Sequence, residues 1–583
     1  MPSALSILRL ERGNFIMLQG IAASAGVGIG TALRVIPVDV DYTHVTPAGP
    51  DADKPRLSAA LDAFISATAA MAEAAKARVG EHQAEILTGQ VTMISDPFMK
   101  LQMEEKLDAG MCAEAAVDAV CQDFMDMFTA TGDELMMQRA TDVGDIRFRL
   151  LCLLLGRENT DLSELPDGTV LVVHELTPSM ATGLDRAHVA GVVTETGGAT
   201  SHSAILARSM ELPAVLSVPD ALGAMQDGQS VIVDGGKGAV LVDPEAKILA
   251  DYRAKVEAQR ADKLALEAFR GKETRTADGA NADLYGNIGS ADDAKAVFDA
   301  TGEGVGLFRT EFLFMDRTNL PTEEEQFQVY KQVAQMADGR EVIIRTLDVG
   351  GDKEIPYLGM EKEENPFLGF RAIRYCLERW DVFETQLRAL LRASAFGKVK
   401  IMLPLVTRVS EVRQAKALLE TLKGGLEQNG VAYDKNVRVG VMVETPAACL
   451  MADVLAKEAD FFSIGTNDLT QYIMVADRGN QAVASIGSPL DPAVLRGIQH
   501  IIACGKKAGI PVGMCGEAAA NPLMIPLLLS FGLDEFSVGS ASILATRRRI
   551  AQWTKAGADA LTERVMALDA EEDVKALLIE KVK

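Results

Sequence analysis

In the N-terminal half of the chain, the residues best suited to chemistry surround His202. The segment Gly197–Arg208 predicts a tight glycine turn followed by a helix, because Thr200 and Ser201 are good N-cap residues. His202 therefore falls in the first turn, where free backbone N–H groups and the helix dipole favour an anion. Such a place would support a phosphoryl group on His202. The alternative interpretation is a structural histidine in a capped helix.

Two arginines in the C-terminal half predict a clamp for an anion. Arg309 and Arg345 each follow a short apolar run. A guanidinium stays charged and binds phosphate or carboxylate through two parallel hydrogen bonds. The alternative is a pair of structural salt bridges to Glu311 and Asp348, and the sequence leaves both open. The nearby segment Gly350–Lys353, a glycine turn that ends in a lysine, is by itself a weak phosphate signal.

Two carboxylates and one thiol occupy similar positions after other apolar runs. Glu444 and Asp468 follow adjacent predicted strands without a neighbouring histidine or cysteine, which suits Mg²⁺ or Mn²⁺ with substrate oxygens completing the shell. The alternative for Asp468 is a helix N-cap, which requires no metal. Cys515 lies between glycines, where it is either a buried core thiol or a group that delivers or takes a proton.

The elements that must position these residues are apolar runs separated by helix-like segments. Strands that alternate with helices predict a parallel sheet, and eight of them suggest a closed (β/α)8 barrel of the TIM type. The carboxyl ends of the strands of such a barrel form its active site, and the arginines, carboxylates and thiol all fall there. The runs are Leu284–Ile288, Gly304–Phe308, Val342–Thr346, Val399–Leu405, Val437–Val443, Phe461–Ile464, Pro511–Met514 and Glu535–Val538.

The N-terminal half predicts an α/β domain interrupted by helices. Residues 49–156 have few glycines and prolines and a period of about 3.6, which predicts an all-helical insert of about four helices. Residues 17–48 and 157–243 are rich in strands and form one α/β unit. Residues 244–273 read as a charged linker helix with the main domain boundary in the loop near its end, and residues 1–16 as a disordered extension.

Composition bounds the class of protein. The chain has 583 residues and a formal net charge of −24, which predicts several domains and argues against a nucleic-acid partner. Seven scattered cysteines without a CxxC pair favour a reduced, cytoplasmic setting over a disulfide framework. No secretory signal and no apolar run of about 18 residues is apparent, so we expect no membrane insertion.

From about Leu18 to the end, the chain resembles the Enzyme I family of the bacterial phosphotransferase system, the phosphoenolpyruvate–protein phosphotransferases within the PEP-utilising enzymes. Long motifs at matching intervals carry the resemblance. They are Gly197–Arg208, Gly304–Arg317, Ile343–Pro356, Glu364–Arg374, Val443–Pro446, Ser463–Asn480 and Gly513–Glu517.

The resemblance implies a multidomain fold and a two-step reaction. Residues 17–48 and 157–243 would be the α/β phosphohistidine domain, 49–156 a helical subdomain that binds the phosphocarrier protein HPr, and 274–583 a PEP-binding barrel that also forms a homodimer. The phosphoryl group would pass from PEP to the chain and then to a histidine of HPr, releasing pyruvate, as the first step of PEP-dependent sugar uptake and phosphorylation. Because one histidine must reach both partners, its domain would swivel on the linker helix.

Roles for single residues also follow from the resemblance. His202 would accept the phosphoryl group, and Cys515 would protonate the enolate carbon. Substrate binding would fall to Arg309, Arg345, Asn467, Asp468 and Arg478, with Lys353 and Arg371 as further phosphate contacts. Glu444 and Asp468 would hold Mg²⁺, with Mn²⁺ as the substitute. The chain departs from the family at Ala181, where members commonly carry a threonine near the active histidine.

Two other functions compete with this interpretation. Pyruvate phosphate dikinase and PEP synthase share the histidine domain and the barrel, but they need an ATP-binding domain, and no glycine-rich phosphate loop precedes His202. A phosphorylated regulator without catalysis is the other alternative. The complete set of arginines, carboxylates and thiol argues against it.

Overall fold

The computed structural model describes residues 15–36, 38–78, 81–130, 134–157, 162, 165–198, 201–315, 317, 319–350, 355–480 and 482–582. Lys353, Thr200 and residues 1–14 of the predicted extension lie outside these residues. The chain forms two compact units that divide between Ala261 and Asp262. Each unit is described by itself.

A mixed sheet forms the centre of the first unit, and its eight strands within the described residues come from both sides of the helical insert. They are β1 (Ile16–Gln19), β2 (Ile21–Ser24), β3 (Val27–Val35), β4 (Thr169–Val173), β5 (Val189–Thr194), β6 (Ala214–Leu216), β7 (Ser230–Asp234) and β8 (Ala239–Val242). Their order is β1-β8-β7-β3-β4-β5-β6-β2. Strands β3 to β6 pair in parallel, whereas β7 and β8 form an antiparallel hairpin.

The first strand begins one residue earlier than predicted. Ile16 lies opposite Val242 in the antiparallel pair of β1 and β8, so the expectation that disorder would extend through residue 16 is wrong at that residue. Pairing with β8 gives the Ile16 backbone hydrogen-bond partners that a tail would lack.

The insert contains five helices among its described residues, where the sequence predicted about four. They are α1 (Pro50–Arg78), α2 (Glu81–Ile94), α3 (Pro97–Asp108), α4 (Ala113–Ala130) and α5 (Glu134–Leu155). The break between α2 and α3 comes from local chemistry, because the Asp96 side chain accepts a hydrogen bond from Phe98 N and Pro97 starts the new helix. Leu57, Leu61 and Phe64 of α1 are buried in the core of this layer.

One segment of α1, Pro50–Ala74, is long enough and apolar enough to cross a membrane by length and composition. The sequence prediction concerned an apolar run of about 18 residues, whereas this segment includes charged residues such as Asp62 and Glu73. A single such helix is weak evidence for a span, because core helices of soluble proteins meet the same criterion, and three of its apolar side chains are in the core named above.

Among the described residues, four further helices follow the insert and come before the barrel. They are α6 (Pro178–Gly183), α7 (His202–Ser209), α8 (Ala221–Ala224) and α9 (Ala246–Glu267). Helix α9 lies within the segment predicted as a charged linker and buries none of its residues. The division between the two units falls inside this helix.

The second unit confirms the predicted barrel. Its strands are β9 (Asp283–Ile288), β10 (Val305–Arg309), β11 (Glu341–Arg345), β12 (Lys398–Leu403), β13 (Arg438–Val443), β14 (Phe462–Ile464), β15 (Val512–Met514) and β16 (Glu535–Val538). Each pairs in parallel with the next, and β16 returns to β9 to close the barrel. Parallel pairing in chain order brings all the carboxyl ends of the strands to one rim.

Helices cover the outside of this barrel, and their apolar faces complete its core. They are α10 (Ala291–Asp299), α11 (Glu323–Met336), α12 (Ile373–Glu378), α13 (Trp380–Ala393), α14 (Val409–Gln428), α15 (Pro446–Leu450), α16 (Ala452–Leu455), α17 (Thr466–Met474), α18 (Pro492–Ala508), α19 (Ile525–Phe531), α20 (Ile543–Ala551), α21 (Lys555–Met566) and α22 (Glu571–Lys581).

Candidate active site

A cavity of about 200 Å³ opens at the carboxyl rim of the barrel. It collects nearly every residue of the second unit that the sequence singled out, from seven different strand ends and loops. The residues that line it include Arg309, Arg345, Arg371, Glu444, Asn467, Asp468, Arg478 and Cys515. Of the predicted site residues in this unit, Lys353 alone lies outside the described part of the chain.

The two arginines of the predicted clamp are direct neighbours. Arg309 and Arg345 are paired residues in the register of β10 and β11. Arg345 is buried and pairs with Glu311 at 2.7 Å and with Asp348 at 2.8 Å. The salt-bridge alternative therefore describes Arg345 correctly, yet its guanidinium still lines the cavity. Arg309 lines the same cavity, and within the described residues no side chain pairs with it, so its charge is available to an anion.

Arg371 extends this arrangement into a buried network of alternating charges. Its guanidinium lies 2.8 Å from Asp348 and 3.2 Å from Asp468. Arg478 approaches Asp468 from the other side at 3.8 Å. A Cβ at Gly350, whose φ is +124°, would lie 2.6 Å from the Arg371 Cβ, so this turn requires glycine. The network fixes the guanidinium groups at the rim without a bound substrate.

Glu444 and Asp468 face the same cavity, as the sequence predicted. Burial raises the pKa of Glu444, and the carboxylates of Asp468 and Asp348 raise it further. One Glu444 oxygen accepts a hydrogen bond from Leu405 N at 2.6 Å. The N-cap alternative for Asp468 is wrong, because Gly465 occupies the N-cap position of α17. Two buried carboxylates that repel each other fit a hard divalent cation, which would offset that repulsion.

Cys515 lies at the end of β15 and is only 3% exposed, yet it lines the cavity. Burial raises the pKa of its thiol to about 11, so the thiol is protonated at neutral pH. The next residue must be glycine, because a Cβ at Gly516 would lie 1.8 Å from Thr466 Oγ1. A protonated thiol beside a substrate cavity can donate a proton.

Three acidic residues of the site were not predicted as functional. Glu311 and Asp348 entered the sequence argument only as alternative partners of the arginines. Glu517 exchanges two hydrogen bonds with Asn467. Its carboxylate accepts one from Asn467 Nδ2 at 3.3 Å, and its backbone N donates the other to Asn467 Oδ1 at 3.2 Å. The signal available for Glu517 was its place at the end of the motif Gly513–Glu517.

The first unit contains the predicted acceptor. Helix α7 begins at His202, and the Ser201 side chain caps it by accepting a hydrogen bond from Ala204 N at 3.4 Å. Gly197, with φ at +105°, makes the turn before the helix. The backbone at His202 is thus the first turn that the sequence predicted, where an anion is favoured. No histidine is among the residues found to line the barrel cavity.

Comparisons with known proteins identify the family of the chain. Models of the PEP-utilising enzymes match the N-terminal domain at residues 19–139, the mobile domain at 165–238 and the PEP-binding domain at 263–555. The phosphoenolpyruvate-protein phosphotransferase of Geobacillus stearothermophilus is 46% identical over 563 residues, covering 96% of each chain. That of Bacillus subtilis (strain 168) is 42% identical over 97% of this chain and 100% of its own. The chain therefore belongs to the family of phosphoenolpyruvate–protein phosphotransferases.

Proposed function

We propose that the chain transfers the phosphoryl group of PEP to His202 and then to a histidine of HPr, releasing pyruvate. This is the first step of PEP-dependent sugar uptake and phosphorylation. The observation that carries the proposal is the rim cavity, whose lining supplies four guanidiniums, five carboxylates and a thiol and includes no histidine among its described residues. The acceptor then comes from elsewhere in the chain, and His202 begins a helix in the segment that matches the mobile domain.

Within the cavity, the arginines bind the substrate phosphate. Arg309 and Arg345 grip it from adjacent strands with Arg371 as a further phosphate contact, and Arg478 and Asn467 hold the rest of the substrate. Ion pairs with Glu311 and Asp348 fix Arg345 before substrate binds. This preorganised positive charge stabilises the phosphoryl group as its bond to the enolate oxygen breaks. Lys353 is a further phosphate contact in this proposal.

Glu444 and Asp468 hold Mg²⁺, with Mn²⁺ as the substitute. Within the described residues no three histidine, cysteine, aspartate or glutamate side chains are grouped so as to hold a metal ion. Substrate and water oxygens would supply the remaining ligands. The bound ion supplies charge neutralisation to the phosphoryl group and the enolate.

Cys515 completes the reaction at carbon. When the phosphoryl group leaves PEP, the enolate of pyruvate remains, and its C3 accepts the proton of the Cys515 thiol. Solvent then returns a proton to the thiolate. The raised pKa of Cys515 keeps the thiol protonated until the enolate forms.

His202 carries the phosphoryl group to the protein acceptor. We assign residues 17–48 and 157–243 to the phosphohistidine domain, 49–156 to the HPr-docking subdomain and 274–583 to the PEP-binding barrel. The linker segment 244–273, which contains the solvated helix α9, lets the phosphohistidine domain swivel between its two partners. The cysteines, all seven of them free, support a reduced cytoplasmic setting.

A homodimer formed by the barrel is part of this proposal. Leu368, Leu450 and Val475 are 65%, 76% and 89% exposed. Leu368 and Val475 line one apolar cavity of about 610 Å³. Val475 has a φ of +52°, a costly backbone conformation for a β-branched residue. An exposed valine held in that conformation supports a contact with a second copy that covers it.

The experiment measures pyruvate release from PEP and Mg²⁺ in the absence of nucleotides. Without HPr, we expect a burst of about one pyruvate per chain, because the phosphorylated intermediate accumulates. Added HPr should convert the burst into steady turnover. Continuous pyruvate release without HPr, or none until ATP is added, contradicts the proposal.

A further inference from the structure

Outside the substrate cavity, a buried series of side-chain hydrogen bonds connects the helical insert to the segment beside α7. Its centre is Asp145 on α5. One carboxylate oxygen accepts a hydrogen bond from Gln90 Nε2 of α2 at 3.0 Å, and the other accepts one from Ser179 Oγ of α6 at 2.8 Å. Gln90, Asp145 and Ser179 are all buried. Water therefore does not compete for these bonds, and each lost partner leaves a buried polar group unsatisfied.

The donors and acceptors along this series have one consistent direction. Ser179 Oγ donates to Asp145, so its oxygen accepts from Thr177 Oγ1, which lies 3.0 Å away. Thr177 caps α6, and its Oγ1 accepts from Met180 N at 3.3 Å. Asp145 thereby fixes both the Thr177 hydroxyl and the first turn of α6.

The same segment is held from its other side by the histidine helix. Ser203, the residue that follows His202, is buried and donates its hydroxyl to the carbonyl oxygen of Leu176 at 3.0 Å. Leu176 directly precedes Thr177. The segment 176–179 therefore connects α7 to α2 and α5, and a shift of α7 against the insert would break buried hydrogen bonds.

We propose that Asp145 is a positioning residue for phosphoryl transfer from His202 to the protein acceptor. Through Ser179 and the segment 176–179, it fixes the helix of His202 against the layer that docks the acceptor. The inference rests on the proposed function, in which the insert binds HPr. The connection matters for the second transfer, because only that step requires the histidine and the insert in one fixed geometry.

The experiment compares Asp145→Ala and Ser179→Ala in the full-length protein with the parent. We expect the rate of transfer to saturating HPr to fall about tenfold, since a hydrogen bond to a carboxylate contributes roughly that factor. The KM for HPr should stay unchanged, because the docking surface is intact. Labelling of His202 from PEP should fall by much less. Ser179→Thr, which keeps the hydroxyl, should restore the transfer rate.

Thr421→Ala is the matched control, because the exposed Thr421 hydroxyl of α14, in the second unit, donates to the carbonyl oxygen of Ala417 in its own helix and lies outside the insert. Ser179→Ala removes a single hydroxyl, so it carries the test if Asp145→Ala fails to fold. Variants that transfer to HPr at the parent rate overturn the inference. An equal fall in labelling from PEP and in transfer to HPr, together with a lowered Tm, overturns it as well. A parent protein that takes no label from PEP overturns the proposed function instead, and this is seen before any variant is compared.

Discussion

At the scale of single residues, the charges of the rim cavity are fixed before a substrate arrives. Arg345 is held between Glu311 and Asp348, whereas Arg309, its neighbour in the sheet register, has no partner among the described side chains. A clamp with one fixed and one open guanidinium loses little freedom when it binds a phosphate. This preorganisation makes the geometry of Arg345 as important as its charge.

Arg345→Lys should lower kcat/KM for PEP by about a hundredfold, because an ammonium keeps the charge but lacks the planar fork that pairs with Glu311 and Asp348 and still presents N–H groups to a phosphate. Arg413→Lys is the control, since Arg413 is an exposed arginine of the same unit that pairs with Glu458. Initial rates of pyruvate release measure both. A variant with the parent kcat/KM would show that charge alone suffices.

Cys515→Ala should separate phosphoryl transfer from protonation. Labelling of His202 from PEP should continue in the variant. The stereochemistry of the product should differ: with PEP that carries deuterium at one vinyl position in tritiated water, only the parent protein should give pyruvate with a chiral methyl group. Without the thiol, the enolate leaves and is protonated on either face in solution. Cys504→Ala, in which another buried thiol is removed from α18, should keep the stereochemistry. A chiral product from Cys515→Ala would assign the proton to another group.

At the scale of elements, the opposite end of the barrel contains a half-buried acid with no part in the proposed chemistry. Glu535 begins β16, and burial raises its pKa to about 8, with Glu341 and Asp283 adding to the rise and Lys400 opposing it. The ordinary pKa of a glutamate side chain is 4.5. Between that pH and about pH 8, Glu535 is ionised in the unfolded chain but still protonated in the folded protein. Stability should therefore fall as the pH rises from about 4.5 to about 8.

Glu535→Gln should remove that loss, because the amide has nearly the same shape and no proton to release in this range. The Tm of the variant minus that of the parent should increase between pH 5 and pH 9. Glu563→Gln, a change on the exposed surface of α21, controls for charge. A Tm difference that is the same at every pH would contradict the assignment.

The elements of the barrel could be predicted from the sequence because short apolar runs mark buried parallel strands almost residue by residue. The proximity of Arg309 to Arg345 then followed from the parallel pairing of strands in chain order. Arg371 could not be placed in this way, since it lies in a loop beside Ala372, whose φ of +54° has no sequence signature. The hydrogen bonds of Asp145 join α5 to α2 and α6, and contacts between distant elements leave no local pattern.

At the scale of the whole molecule, the proposed chemistry is divided between the two units. The cavity of the second unit binds and activates the substrate in our proposal, whereas the first unit contributes the acceptor and the docking surface. This division explains why neither the barrel motifs nor the histidine helix identifies the reaction alone.

The proposed dimer gives a prediction at this scale. Val475→Asp should convert a dimer into a monomer in sedimentation velocity, because the contact would have to bury a charge. Leu264→Asp is the control, as Leu264 is 67% exposed on α9. A parent protein that is monomeric at every concentration, or a variant that stays dimeric, would exclude this face as the interface.

The central claim is that His202 takes the phosphoryl group directly from PEP. The most direct measurement incubates the full-length protein with ³²P-labelled PEP and Mg²⁺, without nucleotides, and locates the acid-labile label by peptide mapping. We predict about one phosphoryl group per chain on His202, none in His202→Ala, and normal labelling in His188→Ala, a half-exposed histidine of the same unit. Label on any other residue, or label that persists in His202→Ala, would contradict the account.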